Sequence, residues 1–257
     1  MSDCSVAMLL AVDIGNTNVK IGIFDGEHLT SRFSIASRPF LTVKELTAAV
    51  GARIGSGITD VIVCSVVPAI DPLIREFASS VLGLEPVFVA NDIDLGLDVC
   101  YEPLTGAGTD RLVNSFAASE KYGVPSIVCS FGTATTFDVV TRDRVLLGGV
   151  IAPGMVTMAK ALHLNTAKLP EIEIAKPAHI IGRDTVGAIQ SGIFYGHIAL
   201  VEGMLERIKA VSGDDTQVIA TGGFAAIVAE NTDVLDIVDN DLLLDGLRLI
   251  LRRSHPA

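Results

Sequence analysis

The stretch L-L-A-V-D-I-G-N-T-N-V-K-I-G-I-F-D-G, residues 9–26, decides the reading of the whole chain. A short apolar run ends on a carboxylate, Asp13, and a polar turn, Ile14-Gly15-Asn16-Thr17. A second apolar run follows at 19–24. Asp25-Gly26 is a hairpin signal that returns the chain as a third strand over 29–35. The pattern restarts 117 residues later as S-I-V-C-S-F-G-T-A-T-T-F-D-V-V-T-R-D, residues 126–143, with Ser130 under Asp13 and Gly132 under Gly15. A three-strand opening followed by alternating helices and strands, present twice, predicts an α/β chain of two similar domains, 1–122 and 123–257, with a cleft between them.

The remaining elements fill this frame. Thr42 and Glu45 form a capping-box pattern that opens a helix. Residues 61–67 read as a buried strand, and Asp71-Pro72 as the N-cap and first position of a helix reaching about residue 82. A strand at 86–89, an acidic loop through Asp92, Asp94 and Asp98, and a helix over 110–122 complete the first half. In the second half the spacing predicts strands at 126–130, 137–140, 145–147 and 217–220. Helices are predicted after Pro153-Gly154, over 185–211 and over 241–253. The helix over 185–211 carries Ile189, Ile193, Ile198 and Val201, more apolar positions than one domain face needs, which points to a second copy of the chain as partner.

Composition bounds the function. The chain has 257 residues, 49% hydrophobic and 19% charged, with mean hydropathy +0.52. That length buries enough surface to fold without a metal or disulfide staple. No run reaches the roughly 18 uninterrupted apolar residues of a membrane span, and the first residues lack the basic flank of a signal peptide. With 19 basic against 30 acidic residues, a net charge of −11, nucleic acid is an unfavourable partner. Cys4, Cys64, Cys100 and Cys129 show no metal spacing. Cys64 and Cys129 sit inside apolar strands and read as buried free thiols, which suits a reducing, cytoplasmic location. The histidines His28, His163, His179, His197 and His255 show no ligand spacing either, and none is assigned a catalytic role.

Three places can carry chemistry. In Asp13 to Thr17 a carboxylate ends a strand and a glycine turns the backbone. Asp13 can hold hydrated Mg²⁺ while Gly15, Asn16 and Thr17 face phosphate and Lys20 adds positive charge. The same residues also suit an ordinary turn. The second copy, with Gly132 and Thr133, favours a paired phosphate clamp, and Gly222-Gly223 offers a flat approach for a nucleoside or simply a helix start. The segment Y-E-P-L-T-G-A-G-T-D-R, 101–111, places Asp110 and Arg111 at a helix N-terminus. Asp110 there reads either as a helix cap or as a base beside a cation that recognises an anionic substrate.

Six motifs in order then carry a resemblance. They are D-I-G-N-T (13–17) with Gly22, the 101–111 segment continued by R-L-V-N-S-F-A-A, F-G-T-A-T-T-F-D (131–138), G-G-V-I-A-P-G-M (148–155), I-G-R-D-T-V-G-A-I-Q-S-G (181–192) and T-G-G (221–223). Over nearly its full length the chain resembles the type III pantothenate kinases. These belong to the superfamily of acetate and sugar kinases, heat-shock ATPases and actin, with duplicated actin-like, ribonuclease H-like domains. The resemblance implies ATP-dependent phosphorylation of pantothenate by a cytoplasmic homodimer, the first step of coenzyme A synthesis. It implies Asp110 as the general base and Arg111 as partner of the pantothenate carboxylate. Tyr101, Gly108 and Thr109 fall in the pantothenate site, and Thr133 is an ATP contact. Thr185 is a pantothenate contact supplied by the neighbouring subunit.

One position departs. The family carries a carboxylate where this chain has Ser130, at the site of a monovalent cation, K⁺ or NH₄⁺. Weakened cation binding is the expectation. The rival reading is a nucleotide-binding regulatory paralogue without turnover; Ser130 favours it, and Asp13, Asp110, Arg111 and Thr185 favour the kinase.

Overall fold

The computed structural model describes residues 8–37, 42–51, 53 and 57–254. Cys4, His255 and most of the stretch G-A-R-I-G-S-G at 51–57, which reads as a connector because it lacks the Lys-Ser/Thr end of a phosphate loop, lie outside the described residues. The described residues form two compact units, one within segments 1–97, 101–117 and 241–257, the other within 98–100 and 118–240.

The first unit starts with β1 (Met8–Ile14), β2 (Asn18–Asp25) and β3 (His28–Ala36). Then come α1 (Val43–Gly51), β4 (Ile58–Ser65), α2 (Asp71–Phe77) and β5 (Val87–Phe88). The sheet order is β3-β2-β1-β4-β5, antiparallel between β1, β2 and β3 and parallel from β1 through β4 to β5. Helix α1 opens on the expected capping box: Thr42 N–H donates to Glu45 Oε2 at 2.9 Å, and Glu45 N–H donates to Thr42 Oγ1 at 3.2 Å.

Residue alternation decides which face does what. Leu10, Val12 and Ile14 pack with Val61 and Val63 under Leu46 and Val50 of α1 and Ile74 and Phe77 of α2. The residues between them point to the other face, where Gly22 lies against Leu244. Asp13 therefore points away from α1 and α2.

The second unit holds β6 (Asp98–Val99), β7 (Ser126–Phe131), β8 (Ala134–Val140), β9 (Val145–Pro153), β10 (Gln217–Thr221) and β11 (Ile237–Val238). Its sheet order, β11-β10-β7-β8-β9-β6, contains the first sheet's order and pairing senses with β6 added at one edge. The domain is duplicated. One helix begins in the first unit, α3 (Thr109–Tyr122), and α4 (Met155–Leu164), α5 (Thr185–Ser212) and α6 (Ala225–Ala229) follow in the second. The last, α7 (Leu242–Ser254), belongs to the first unit.

Four expectations need correcting. A single cut after residue 122 does not describe the units. Gly246 of α7 lies so close to Val113 and Ala117 of α3 that a Cβ there would come within 2.7 Å of Val113, and this close approach keeps α7 with the first sheet. Asp71 is the first residue of α2 rather than its cap, because its carboxylate accepts the Ser65 hydroxyl; α2 ends at Phe77 and continues as a π turn over Ala78–Leu82. Ile189, Ile193, Ile198 and Val201, which seemed an excess apolar face on α5, are consumed by the second unit's own core. Finally, the constant offset of the repeat breaks by one residue. Asp13 pairs with Lys20, but Ser130 pairs with Thr136 rather than Phe137, because the β7–β8 turn is one residue shorter than the β1–β2 turn.

Candidate active site

The central row of the first unit is built by register alone. Asp13 on β1 lies between Lys20 on β2 and Cys64 on β4, and paired residues share a face. Asp13 is 6% exposed, with Lys20 Nζ 3.6 Å from its Oδ2. Burial pushes its carboxyl up to about 6; Lys20 works against this, and the nearby charge of Asp110 adds to it. Gly15 N–H closes the following turn on Asn18 C=O at 3.0 Å, leaving Asn16 and Thr17 exposed at its tip.

Asp110 stands in the first turn of α3. Its Oδ1 accepts the Arg111 N–H at 2.9 Å. A Cβ on Gly108 would meet the same Oδ1 at 2.6 Å, so the glycine makes room for the carboxylate. Burial raises the Asp110 pKa, opposed by the Arg111 backbone and then by its charge. Arg111 is itself buried, with Nη1 donating to the Tyr101 hydroxyl at 2.7 Å and the guanidinium over that ring. Thr109 has a structural task at this position. Its hydroxyl donates to Ser65 C=O at 3.0 Å and accepts from Cys64 Sγ at 3.4 Å, tying α3 to the end of β4.

The second unit collects the other expected residues. Gly132 N–H bonds Ala134 C=O at 3.0 Å, which leaves Thr133 exposed at the turn. Gly222, at φ 98°, is obligatory: a Cβ would lie 2.6 Å from Phe131 O. Gly223 faces open space, and Thr185 is exposed in the first turn of α5, behind the Asp184 cap. Ser130 lies in a row of neutral hydroxyls between Thr136 and Thr221. Gly154 and Thr157 were missed as site residues. Thr133 C=O accepts from Gly154 N–H at 3.0 Å and Thr157 Oγ1 at 2.6 Å, and a Cβ on Gly154 would overlap Gly132 O. The Pro153-Gly154 step and the motif at 148–155 pointed to Gly154, and nothing in the sequence marked Thr157.

The profile of the type III pantothenate kinase family matches residues 9–207. The type III pantothenate kinase of Geobacillus thermodenitrificans is 40% identical over 254 residues, 96% of this chain and 98% of that one. The chain belongs to the type III pantothenate kinase family. Another member, the type III pantothenate kinase of Dehalococcoides mccartyi, is 43% identical over 253 residues, 96% of this chain and 98% of that one. Among solved structures, the inorganic polyphosphate/ATP-glucomannokinase from Arthrobacter sp. strain KM superposes with a TM-score of 0.51 at 16% identity, covering 97% of this chain and 100% of that one. That likeness is one of fold alone, and it agrees with the duplicated actin-like domain seen in the two sheets.

The buried Asp13 gives this family member a measurable signature without ligands. The native carboxyl holds its proton more tightly than the unfolded one, whose pKa is near 3.8. Between these values the folded state binds more protons, so this group favours folding as pH falls through about 6, levelling off near 4. The thermal midpoint of nucleotide- and Mg²⁺-free protein is expected to gain from this group between pH 7 and 5. Asp13→Asn is expected to flatten that slope; an unchanged slope would mean that Asp13 ionises normally.

Proposed function

We propose that the chain transfers the γ-phosphoryl group of ATP to the primary hydroxyl of pantothenate, giving 4′-phosphopantothenate at the first step of coenzyme A biosynthesis. The observation that carries this reading is the placing of Asp13 and Lys20 beside the N-terminus of α3, which carries Asp110 and Arg111 and is tied through Thr109 to Cys64, the neighbour of Asp13 on β4.

Asp110 takes the proton of the attacking hydroxyl. A carboxylate made more basic by burial suits that task, and positioning matters more than base strength because the transition state is loose. Arg111, held on Tyr101, is the cation that meets the pantothenate carboxylate. Lys20 neutralises phosphoryl charge, and the Gly15–Thr17 and Gly132–Thr133 turns offer backbone N–H groups to phosphate oxygens. Thr109 acts behind Asp110 as a strut.

Asp13 fits Mg²⁺, since a single buried carboxylate beside substrate phosphates is a common way to hold that ion. Bound there, Mg²⁺ would neutralise phosphate charge. The Ser130 row lacks the charge that a tight monovalent-cation site needs.

The test is ADP release by purified protein with Mg-ATP and either pantothenate or a sugar. Release with pantothenate alone is expected. Nucleotide binding without release would favour the regulatory reading.

We also propose a homodimer in which Thr185 completes the partner's site. The α5 isoleucines are buried in the second unit's own core, so the support is the exposed apolar group Ile180, Ile181 and Val186 near Thr185 in sequence, of which Ile181 is 78% exposed. Sedimentation at micromolar concentration is expected to give twice the chain mass. A fully active monomer would refute it. Among the described residues no helix is long and apolar enough to cross a membrane, and the buried free thiols Cys64 and Cys129 support a cytoplasmic location.

A further inference from the structure

We propose that His197 is a positioning residue for nucleotide binding: its imidazole grips the Phe131–Thr135 pair that carries the Gly132–Thr133 turn. The inference rests on the reading that this turn faces ATP.

His197 comes from the middle of α5 and is 1% exposed, as is Thr135. Its Nε2 lies 3.2 Å from Thr135 Oγ1, and its ring meets Phe131 edge-on at 6.2 Å between centroids and 76° between planes. Phe131 and Thr135 are the last β7–β8 pair before the turn, so one side chain holds both strands at the point where the loop leaves the sheet.

Phe131 also fixes the second loop. Its C=O accepts the Phe224 N–H at 3.2 Å, and Gly222 is pressed against the same carbonyl. A displacement of Phe131 therefore moves the Gly132–Thr133 turn and the Gly222-Gly223 turn together.

The ring's other nitrogen, Nδ1, is buried with no hydrogen-bond partner. An unpaired buried polar atom is unfavourable, and an apolar side chain of similar volume would fill the place without it. What the imidazole adds over such a side chain is the bond to Thr135. Burial lowers its pKa and keeps it neutral, so it acts as a hydrogen-bonding wedge rather than a charge.

Three variants test this: His197→Leu, His197→Gln and Thr135→Val. Read-outs are kcat, the KM of each substrate, and direct binding of a fluorescent ribose-modified ATP. His197→Leu and Thr135→Val are each expected to raise the ATP KM and the analogue Kd about tenfold, the scale of one hydrogen bond, with the pantothenate KM unchanged. The double variant should be no worse than either single one, and His197→Gln, which keeps a donor, should recover most of the affinity. If His197→Leu does not fold, the near-isosteric Thr135→Val decides by the same criteria. Unchanged nucleotide affinity in Thr135→Val, or additive effects in the double variant, would overturn the assignment. Wild-type protein that binds the analogue but does not phosphorylate pantothenate would sink the kinase reading and leave this one standing.

Discussion

Asp110→Asn is expected to slow single-turnover phosphoryl transfer by about a hundred- to ten-thousand-fold, the range of a general base, while ATP still binds and the protein stays folded. The amide oxygen can keep the bond to the Arg111 N–H that Asp110 Oδ1 accepts, so the start of α3 need not move. What is lost is proton affinity. Stability should move the other way. Burial raises the Asp110 pKa, so folding disfavours its charged form, and at neutral pH this group opposes the native state. Replacing it by a neutral isostere leaves the thermal midpoint at pH 7 unchanged or raised. A residue kept only as a helix cap predicts the opposite pair: rate retained and stability lowered. Near-wild-type single-turnover rates would remove Asp110 from the chemistry.

How far such residues could be read in advance follows from the range of the interactions that place them. The β1–β2 hairpin was legible because turn chemistry and the apolar runs are local. Asp13 at the end of β1 could be singled out because a carboxylate closing an apolar strand is a local anomaly. Its neighbour Cys64 could not, because the β1–β4 register is set by a crossover through α1. The same limit explains α7, which returns to the first sheet through a contact of Gly246 with α3 that no local pattern announces. Thr109 has the composition of a ligand contact, yet its hydroxyl is used by Ser65 and Cys64, far away in sequence. The apolar period of α5 showed which residues share a face but not what covers it. The shortened β7–β8 turn was invisible to an ungapped repeat, and one residue there exchanges Phe137 for Thr136 beside Ser130.

That exchange sharpens the expectation for Ser130→Asp. In the wild type the row across β10, β7 and β8 is Thr221, Ser130, Thr136, three neutral oxygens with no carboxylate at its centre. The equivalent row in the first unit has Asp13 at its centre and Lys20 beside it. Asp138 is on the same face as Ser130 but two residues further along β8. It is buried, and Thr136 Oγ1 stands 3.4 Å from its Oδ2. Hydroxyl oxygens can ligate K⁺ but bring no net charge. A unit charge at about 4 Å is worth roughly 4 kcal/mol at an effective dielectric near 20, before desolvation is subtracted. Even a third of that is about tenfold in affinity. The wild type is therefore expected to show weak or absent activation by K⁺, and Ser130→Asp to gain a saturable activation at concentrations at least tenfold lower. The measurement is initial rate against KCl at constant ionic strength, balanced with a bulky organic cation that cannot enter the row. Without K⁺, the variant should be slower than the wild type, because an uncompensated carboxylate then sits beside the phosphate-facing Gly132–Thr133 turn. A steep saturable rise in the wild type would show that three hydroxyls hold the ion well enough. It would also show that the missing charge matters less than the geometry of the row.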